Sequence, residues 1–349
     1  MESMQPNTKA VPATMRALEL RDYDGGRESI AVVEKPVPRP GMNEVLVRVG
    51  ASPVNPSDLM FLRGLYGVKK RLPIVPGFEA GGEVLTSGGG WMARWLVGRR
   101  VACAAPQNGD GTWAEYMVTP AKLCIPLRRN VTVEQGAAMI VNPFSAWALM
   151  DEARRARARA VVQTAAASAL GGMINQLAAR HRIAVVNIVR RPEQVELLQQ
   201  SGAQYVLNSN DADFDVRLKE LCRRLEATVA FDAVAGELTG QLLRAMPNGA
   251  CAIVYGALSM KACEVDPRGL IFERKLLRGF WLSDWLMSQN ALAKLLTSMR
   301  VQKLLASDLK TEIRARLPLE HAAQGLEQYA THMTGGKVLF IPSLRAPSD

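Results

Sequence analysis

The sequence predicts a mixed α/β protein in which a β-rich domain is combined with a doubly wound parallel sheet. From residue 15 to about residue 126, short apolar runs are separated by glycine and proline, which is typical of an antiparallel sheet or barrel. From about residue 132, strand-like and helix-like segments alternate, which is typical of a parallel sheet covered on both faces. Within this region, residues 161–192 run from an apolar segment through a turn of tiny side chains into an amphipathic segment and a second apolar run.

The predicted elements follow this division in order. The β-rich part has strands at 15–20, 45–49, 81–85, 101–105 and 114–118. The α/β part has strands near 161–165, 184–189, 204–207, 228–234, 250–256 and 276–281, with helices between them. Residues 283–305 predict one long helix, and 312–343 predict strand, helix and strand. We therefore place a β domain at 15–135, an α/β domain at 136–305, and a C-terminal segment completing the β domain at 306–349.

Composition limits the class of protein. A chain of 349 residues, 48% hydrophobic, is long enough for two domains with ample core. No apolar run reaches membrane-spanning length, and residues 1–14 lack the apolar centre of a signal peptide, so we expect a disordered tail, a cytoplasmic protein and no membrane partner. The five cysteines are scattered without any C-x-x-C pair, which predicts reduced core thiols and no disulfide or zinc framework.

The net charge of +10 raises the question of an acidic partner. Four arginines fall within residues 154–159, where they could meet nucleic acid or an acidic carrier protein. No RNA- or DNA-binding motif accompanies them, and a solvated, arginine-rich surface gives the same charge. We therefore do not expect a nucleic-acid partner.

The turn between the first two α/β strands is the main functional signal. Its sequence, residues 165–171, is AAASALG, so only the final glycine of the usual dinucleotide fingerprint remains. Small side chains at Ala167, Ser168 and Gly171 would let a pyrophosphate approach the backbone at a helix N-terminus. The same pattern also fits a tight turn between any buried strand and helix.

Two further strand ends favour a phosphorylated dinucleotide. Arg190 and Arg191 stand after the second strand, where NAD-selective folds place an acidic residue against the ribose 2′-hydroxyl, so they suit the 2′-phosphate of NADPH. A solvated arginine pair, with Glu193 nearby, is the alternative. Tyr255 and Gly256 end a later strand, at the edge of the sheet where ligands bind in open α/β folds.

Several segments in the expected order resemble one family. Residues 54–58 (VNPSD), 63–66 (RGLY) and 72–82 (LPIVPGFEAGG) resemble the N-terminal domain of the medium-chain dehydrogenase/reductase superfamily. Residues 111–116 (GTWAEY), 141–147 (VNPFSAW) and 278–282 (RGFWL) are more specifically similar to its branch of 2-enoyl thioester reductases and NADPH:quinone oxidoreductases. The resemblance spans roughly residues 15–343. It implies a GroES-like β domain flanking a Rossmann domain, NADPH as cofactor, and an active site in the cleft between them.

The zinc ligands of the metal-dependent relatives are missing. Residues 54–58 contain no cysteine, and Phe78 stands where those relatives have a histidine. Cys103 is the only cysteine between residues 79 and 120, so a four-cysteine structural lobe is not expected. The three histidines, His181, His321 and His332, lie in the helical half and are expected on surfaces. We therefore predict a zinc-independent enzyme with no metal site.

Without a metal, the reaction needs an electron-poor acceptor and well-placed donors. Hydride adds to the β-carbon of an activated alkene, and charge moves to the carbonyl oxygen. Tyr66, which follows a glycine in a loop, is the candidate donor to that oxygen, and the resemblance gives the matching tyrosine this role. The alternative is an aromatic lid over the β domain. Gly67 replaces the proline that enoyl thioester reductases tend to carry after this tyrosine.

The resemblance implies further contacts, each with a structural alternative. Trp281 lines the acyl pocket, or simply packs a strand end, and Trp113 is a weaker candidate of the same kind. Asn55 and Ser145 contact the nicotinamide side of the cofactor, or satisfy local backbone groups. Asp58 and Glu79 are expected to be structural partners that hold loops of the β domain.

The leading interpretation is an NADPH-dependent reductase of activated C=C bonds, with a 2-enoyl thioester or related enone as substrate. An NADPH:quinone oxidoreductase is the alternative in the same class, since it uses the same hydride donor. An RNA-binding or structural protein on a reductase fold is the alternative of another class. The family also suggests a homodimer joined through the strands at 250–256 and 276–281.

Overall fold

The computed structural model describes residues 11–345 except Ala306, Asp308 and His332, so most of the predicted tail and one histidine lie outside the described residues. The first stretch of chain is mainly β. Its strands are β1 (Thr14–Leu20), β2 (Ile30–Pro36), β3 (Glu44–Pro53), β4 (Glu79–Ser87), β5 (Arg100–Ala104), β6 (Tyr116–Pro120) and β7 (Cys124–Pro126). Its helices are α1 (Pro56–Leu62), α2 (Trp91–Leu96) and α3 (Val133–Ala137).

The middle stretch alternates strand and helix, and the last returns to β structure. The middle elements are α4 (Val141–Arg155), β8 (Ala160–Gln163), α5 (Ala169–His181), β9 (Ala184–Val189), α6 (Pro192–Gln200), β10 (Tyr205–Asn208), α7 (Phe214–Leu225), β11 (Ala227–Asp232), α8 (Glu237–Ala245), β12 (Cys251–Val254), α9 (Pro267–Phe272), β13 (Leu276–Gly279), α10 (Leu282–Ser288) and α11 (Ala291–Leu305). The last are β14 (Ile313–Leu317), α12 (Ala322–Thr331) and β15 (Lys337–Phe340).

The chain divides into two compact units. One comprises residues 1–141 and 302–349, and the other comprises 142–301. These limits lie a few residues from the predicted ones at 135 and 305. The division into a catalytic and a nucleotide-binding domain stays a prediction about function.

The first unit, called the β unit below, is built on a seven-stranded sheet. The strands run in the order β14-β15-β3-β4-β5-β7, and β6 pairs with β3. All pairs in it are antiparallel except β14 with β15. β1 and β2 form a separate antiparallel pair. Because β15 pairs with β3, the C-terminal segment extends the sheet that begins near the N-terminus. A core containing Trp113 and Phe340, whose rings meet edge to face at 5.0 Å, packs beside it.

The second unit, called the α/β unit, is a six-stranded parallel sheet. Its strand order is β10-β9-β8-β11-β12-β13, and every pair is parallel. The order reverses between β8 and β11, which is the switch point at which doubly wound sheets bind ligands. All four residues of β8 are buried, as expected for a strand covered on both faces. The predicted combination of a β-rich domain and a Rossmann-type parallel sheet is confirmed.

Three details differ from the sequence predictions. The prediction of one long helix at 283–305 is wrong, because the chain forms two helices there, α10 and α11. Gln289 is extended, and the side chain of Asn290 accepts the Ala293 N–H at 2.8 Å, so a new helix starts after it. The short helices α1 and α2 were not predicted. Not all cysteines are core thiols, since Cys263 is exposed and Cys251 is half-buried.

Candidate active site

In the α/β unit, the turn after β8 is shaped by one capping residue and one glycine. Ser168 is the N-cap of α5, and its hydroxyl accepts the Gly171 N–H at 3.1 Å. A Cβ on Gly171 would lie 2.3 Å from the Ala166 carbonyl oxygen, so a larger residue would push the helix off the strand. Ala165 adopts a positive φ of 50°, which bends the chain sharply into the turn. The local sequence therefore forces strand and helix into close contact.

This turn fits a dinucleotide pyrophosphate. Ala167 and Ser168 are half-buried, and their small side chains leave the backbone accessible. The first turn of α5 carries N–H groups without intrahelical partners and the positive end of a helix dipole. A Cβ on Gly172 would meet nothing within 4 Å, so the space beside this first turn is open.

The arginine pair follows the neighbouring strand, β9. Arg190 is exposed, and its carbonyl accepts a hydrogen bond from the Asn210 side chain at 2.8 Å. Arg191 is half-buried and occupies the N-cap of α6. Because β9 lies next to β8 with the same direction, both arginines stand at the same edge of the sheet as the turn. A cation here suits a ribose 2′-phosphate.

A buried carboxylate at the switch point was missed by sequence reasoning. Asp232, which ends β11, is fully buried and accepts hydrogen bonds from the hydroxyls of Thr164 at 2.8 Å and Thr239 at 2.6 Å. It also accepts the N–H groups of Val234 at 2.9 Å and Ala235 at 3.2 Å. These bonds lock the loops that follow β8 and β11. The only local signal in the sequence was a polar residue at the end of two buried strands, Thr164 after β8 and Asp232 in β11.

Tyr255 and Gly256 lie beside this cluster, after β12. The Tyr255 N–H donates to the Asp232 carbonyl at 2.8 Å, and a Cβ on Gly256 would lie 2.8 Å from the Ala233 carbonyl oxygen. The Tyr255 hydroxyl is buried and has no hydrogen-bond partner among the described residues. Burial, reinforced by the Asp232 charge, raises the pKa of Tyr255 above its usual value. An orphaned phenol at this edge is consistent with a polar ligand binding beside it.

Ser145 and Trp281 also belong to the α/β unit. Ser145 lies in the first turns of α4 and is buried. Trp281 is the N-cap residue of α10, two residues after the end of β13, and is half-buried. The structure therefore places Trp281 at the carboxyl end of a strand, where a ligand-facing role is allowed.

In the β unit, Asn55 belongs to a buried ionic cluster, defined here as Asn55, Asp58, Glu79 and Lys337. All four side chains are buried. The Asn55 amide donates to Glu79 Oε1 at 3.0 Å, and its Oδ1 accepts from Lys337 Nζ. The Asn55 backbone N–H donates to Asp58 Oδ2 at 2.7 Å. Both ends of the Asn55 side chain are thus used locally, and its contact with a cofactor stays a proposal.

Glu79 links this cluster to the end of the β unit. Its Oε2 accepts the backbone N–H groups of Ile140 at 2.8 Å and Val141 at 2.9 Å. Lys337 Nζ also donates to the Val54 carbonyl at 3.2 Å. The cluster therefore fixes the start of α1, the start of α4 and β15 together, in agreement with the structural role expected for Asp58 and Glu79.

Burial dominates the electrostatics of the cluster. Desolvation raises the pKa of Asp58 to about 7, although its hydrogen bond from Asn55 and the Lys337 charge act in the opposite direction. Desolvation also raises the pKa of Glu79 and lowers that of Lys337 to about 8. Asp58 Oδ1 is buried without a hydrogen-bond partner among the described residues, which adds to the cost of its charged form.

Tyr66 lies in the loop after α1, against an aromatic group. It is half-buried, and its ring centroid is 4.7 Å from that of Phe78. Phe78 in turn meets Phe61 edge to face at 5.6 Å. The ring packing agrees with an aromatic lid, and the remaining exposure leaves room for contact with a substrate. Trp113 is fully buried, with its indole N–H 3.4 Å from the Pro53 carbonyl oxygen, so it is a core residue.

Comparison with known proteins decides the family. The family described as "Alcohol dehydrogenase GroES-like domain" matches residues 41–129, and "Zinc-binding dehydrogenase" matches 169–298. A mitochondrial enoyl-[acyl-carrier-protein] reductase of Caenorhabditis elegans is 30% identical over 78% of this chain and 79% of its own length. A crystal structure from Mesorhizobium loti, named for an inferred NADPH:quinone reductase activity, is 35% identical, covers 95% of this chain and 100% of its own, and has a TM-score of 0.89.

The chain belongs to the medium-chain dehydrogenase/reductase superfamily. Within it, the chain falls in the branch of enoyl reductases and quinone oxidoreductases. A mycobacterial protein whose structure was solved with NADPH is 25% identical, with a TM-score of 0.81, and covers 94% of this chain and 100% of its own. The predicted resemblance is therefore confirmed.

The side chains that could hold a metal ion can be compared directly with the prediction of no metal site. In the described part of the chain, no group of three or more histidine, cysteine, aspartate or glutamate side chains is placed to hold a metal ion. Phe78, which we predicted to stand where zinc-dependent relatives have a histidine, packs its ring between Phe61 and Tyr66. Separately, the described helices include none that is both long and apolar enough to cross a bilayer.

The predicted site residues fall into three groups. Ala167, Ser168, Gly171, Arg190, Arg191, Tyr255 and Gly256 gather at the carboxyl edge of the parallel sheet, whose centre is the Asp232 cluster. Asn55 and Tyr66 lie in the β unit, before and after α1 respectively. Ser145 and Trp281 lie in the α/β unit, on α4 and at the start of α10. Their individual roles are proposals.

Proposed function

We propose that this superfamily member is an NADPH-dependent reductase of activated C=C bonds, with 2-enoyl thioesters or related enones as substrates. The observation that carries the proposal is the small-residue turn at Ser168 combined with two arginines, and no acidic residue, at the end of β9. Relatives named as enoyl-[acyl-carrier-protein] reductases support the substrate class.

NADPH, when bound, supplies a hydride to the electron-poor β-carbon. In this proposal the backbone at Ala167, Ser168 and Gly171 binds the pyrophosphate, and Arg190 with Arg191 binds the 2′-phosphate. Ser145 and Asn55 contact the nicotinamide half of NADPH. Tyr255 and Gly256 line the site at the carboxyl edge of the parallel sheet. Substitution of Arg190 and Arg191 by serine should weaken NADPH binding roughly tenfold to a hundredfold and leave NADH binding almost unchanged.

In this proposal, Tyr66 of the β unit and Trp281 of the α/β unit act on the acceptor. Tyr66 donates a hydrogen bond to the developing enolate oxygen, or delivers the proton to the α-carbon, and its half-exposed position allows either role. Trp281 provides apolar surface for the acyl chain. Because an enoyl thioester is already polarised, a well-oriented donor such as the Tyr66 hydroxyl can stabilise the enolate without a Lewis acid.

We infer that the reaction needs no zinc. The support is the identity of the residues at the ligand positions, in particular Phe78 within an aromatic stack. One of the matched families is described as zinc-binding, so metal content is a direct test. Purified protein should contain far less than one zinc per chain and keep its activity after EDTA treatment. Stoichiometric zinc, lost together with activity, would contradict this.

A quinone oxidoreductase is the second candidate, supported by the likeness to the protein from Mesorhizobium loti. An acceptor panel separates the two: NADPH oxidation is measured with crotonyl thioesters of CoA and of pantetheine, with simple enones, and with small quinones. A kcat/KM higher for the thioesters supports the first candidate, and one higher for quinones supports the second. No oxidation with any acceptor, together with salt-sensitive RNA binding, would favour a binding protein instead.

We also propose a homodimer and a cytoplasmic location. β13 is an edge strand whose four residues are all exposed, and it includes Leu276 and Leu277. An exposed apolar edge strand favours pairing with a second copy. The location remains a proposal because several relatives are named as mitochondrial.

A further inference from the structure

An exposed apolar surface surrounds helix α2 in the β unit. Trp91 and Trp95, one helical turn apart and therefore on one face, are 79% and 51% exposed. Met42 is 70% exposed, and it flanks the start of the helix, since a Cβ on Gly89 would lie 3.0 Å from its sulfur. Val97, directly after the helix, is 43% exposed. These four residues are called the Trp91 patch.

Cations border the Trp91 patch. The Arg99 guanidinium lies 4.2 Å from the centre of the Trp95 ring and donates from Nε to the Trp95 carbonyl at 2.8 Å. Arg94 is exposed on α2 itself, and Lys122 is exposed on the short helical turn that packs against α2. Residues 88–100, GGGWMARWLVGRR, contain no acidic residue. The patch is therefore apolar at its centre and bordered mainly by cations, although the half-buried Glu44 accepts the Gly41 N–H beside Met42 at 2.9 Å.

This combination matches an anionic lipid surface. Indole rings with their N–H groups concentrate at the bilayer interface, and arginine and lysine attract acidic headgroups. Met42 and Val97 add aliphatic surface that can enter the acyl region but offers nothing to stack on a nucleic-acid base. Contiguous exposed apolar surface otherwise costs free energy in water, and it commonly marks an interaction site.

We propose that the Trp91 patch, with Arg94 and Arg99, docks this protein peripherally on membranes that contain anionic lipids. Such docking requires no spanning helix, so it is compatible with the described helices. It departs from the sequence prediction of no membrane partner, which considered only apolar spans. The proposal does not depend on the proposed reaction, because it concerns only the surface of the β unit.

The test is flotation of the full chain with vesicles, at low salt and at high salt. The vesicles are phosphatidylcholine alone or equal parts phosphatidylcholine and phosphatidylglycerol. The protein should float only with the anionic vesicles, and high salt should release it because surface charges are then screened. Arg94→Gln and Arg99→Gln should each lower partitioning about fivefold. Trp91→Ala with Trp95→Ala should lower it by roughly tenfold or more.

A matched control uses exposed residues of α7 in the α/β unit. Val216, which is 71% exposed, and Lys219 repeat the pairing of an apolar and a basic side chain, so Val216→Ala with Lys219→Gln should float like the wild type. Thermal unfolding checks that each variant is folded. Each of the following results would overturn the proposal: no flotation at low salt, equal flotation of the tryptophan variant, or loss of a dimer in that variant, which would identify the patch as an interface between copies. Binding of a single-stranded oligonucleotide through the same residues, with no vesicle binding, would do so too.

Discussion

Tyr66 carries the chemical proposal at the scale of a single residue. Substitution of Tyr66 by phenylalanine removes the hydroxyl and keeps the ring against Phe78. The turnover number should fall by about a hundredfold, since one lost donor to an oxyanion costs on the order of 3 kcal/mol. NADPH affinity, measured by fluorescence titration, should stay unchanged. Phe78→Leu serves as a packing control, and equal turnover of Tyr66→Phe and the wild type would remove this hydroxyl from the mechanism.

Asp58 makes stability depend on pH in a predictable direction. Its pKa is raised from 3.8 to about 7 in the folded protein, mainly by desolvation, so the folded state binds a proton more tightly than the unfolded state. The stabilisation that follows is fully present below about pH 4 and is lost as the pH rises through about 7. Urea unfolding at about pH 5 and about pH 8, which bracket this window, should show a smaller decrease in the free energy of unfolding for Asp58→Asn than for the wild type.

Lys337 affects the same measurement in a different range. Its pKa is lowered to about 8, so its contribution to the stability increases only as the pH rises above that value. The stability of the wild type could instead stay flat between these two pH values, with the same pH dependence as Asp58→Asn. That result would show that the Asp58 carboxyl is not the titrating group.

At the scale of an element, helix α5 offers a pair of neighbouring glycines with opposite surroundings. Gly171→Ala would place a Cβ 2.3 Å from the Ala166 carbonyl oxygen, whereas Gly172→Ala meets nothing within 4 Å. We expect Gly171→Ala to cost about 1–3 kcal/mol of stability and to weaken NADPH binding, because the helix must shift. Gly172→Ala should be neutral or stabilising by up to about 1 kcal/mol, since alanine favours helix. Urea unfolding of both variants gives the comparison, and equal losses would mean that the close strand–helix contact is absent.

The sequence revealed those parts of this site that are local in the chain. The turn at Ser168, the arginine pair after β9 and the parallel character of the sheet follow from contiguous patterns, whereas the strand order did not. The Asp232 cluster and the contact between Asn55 and Lys337 could not be predicted, since their partners meet only when distant strands pair; the latter two residues are 282 positions apart. The break at Asn290 was missed because a single capping side chain interrupts an otherwise helical run.

At the scale of the whole molecule, the edge strand β13 predicts self-association. Leu277→Lys would put a charge on an exposed apolar position of this edge. Analytical ultracentrifugation should then show a dimer for the wild type and a monomer for the variant. Val216→Lys, at an exposed position of α7, is the control and should remain a dimer. A monomeric wild type at all concentrations would exclude the proposed homodimer.

The central claim is that the protein alone, without a metal, directs hydride from NADPH to the β-carbon of an activated alkene. The most direct measurement uses EDTA-treated protein, NADPH deuterated at the nicotinamide C4 position, and a crotonyl thioester, with the product analysed by NMR. We predict that deuterium appears at the β-carbon of the saturated thioester, in one configuration and from one face of the nicotinamide. Absence of deuterium at that carbon, or its transfer only after zinc is restored, would contradict the account.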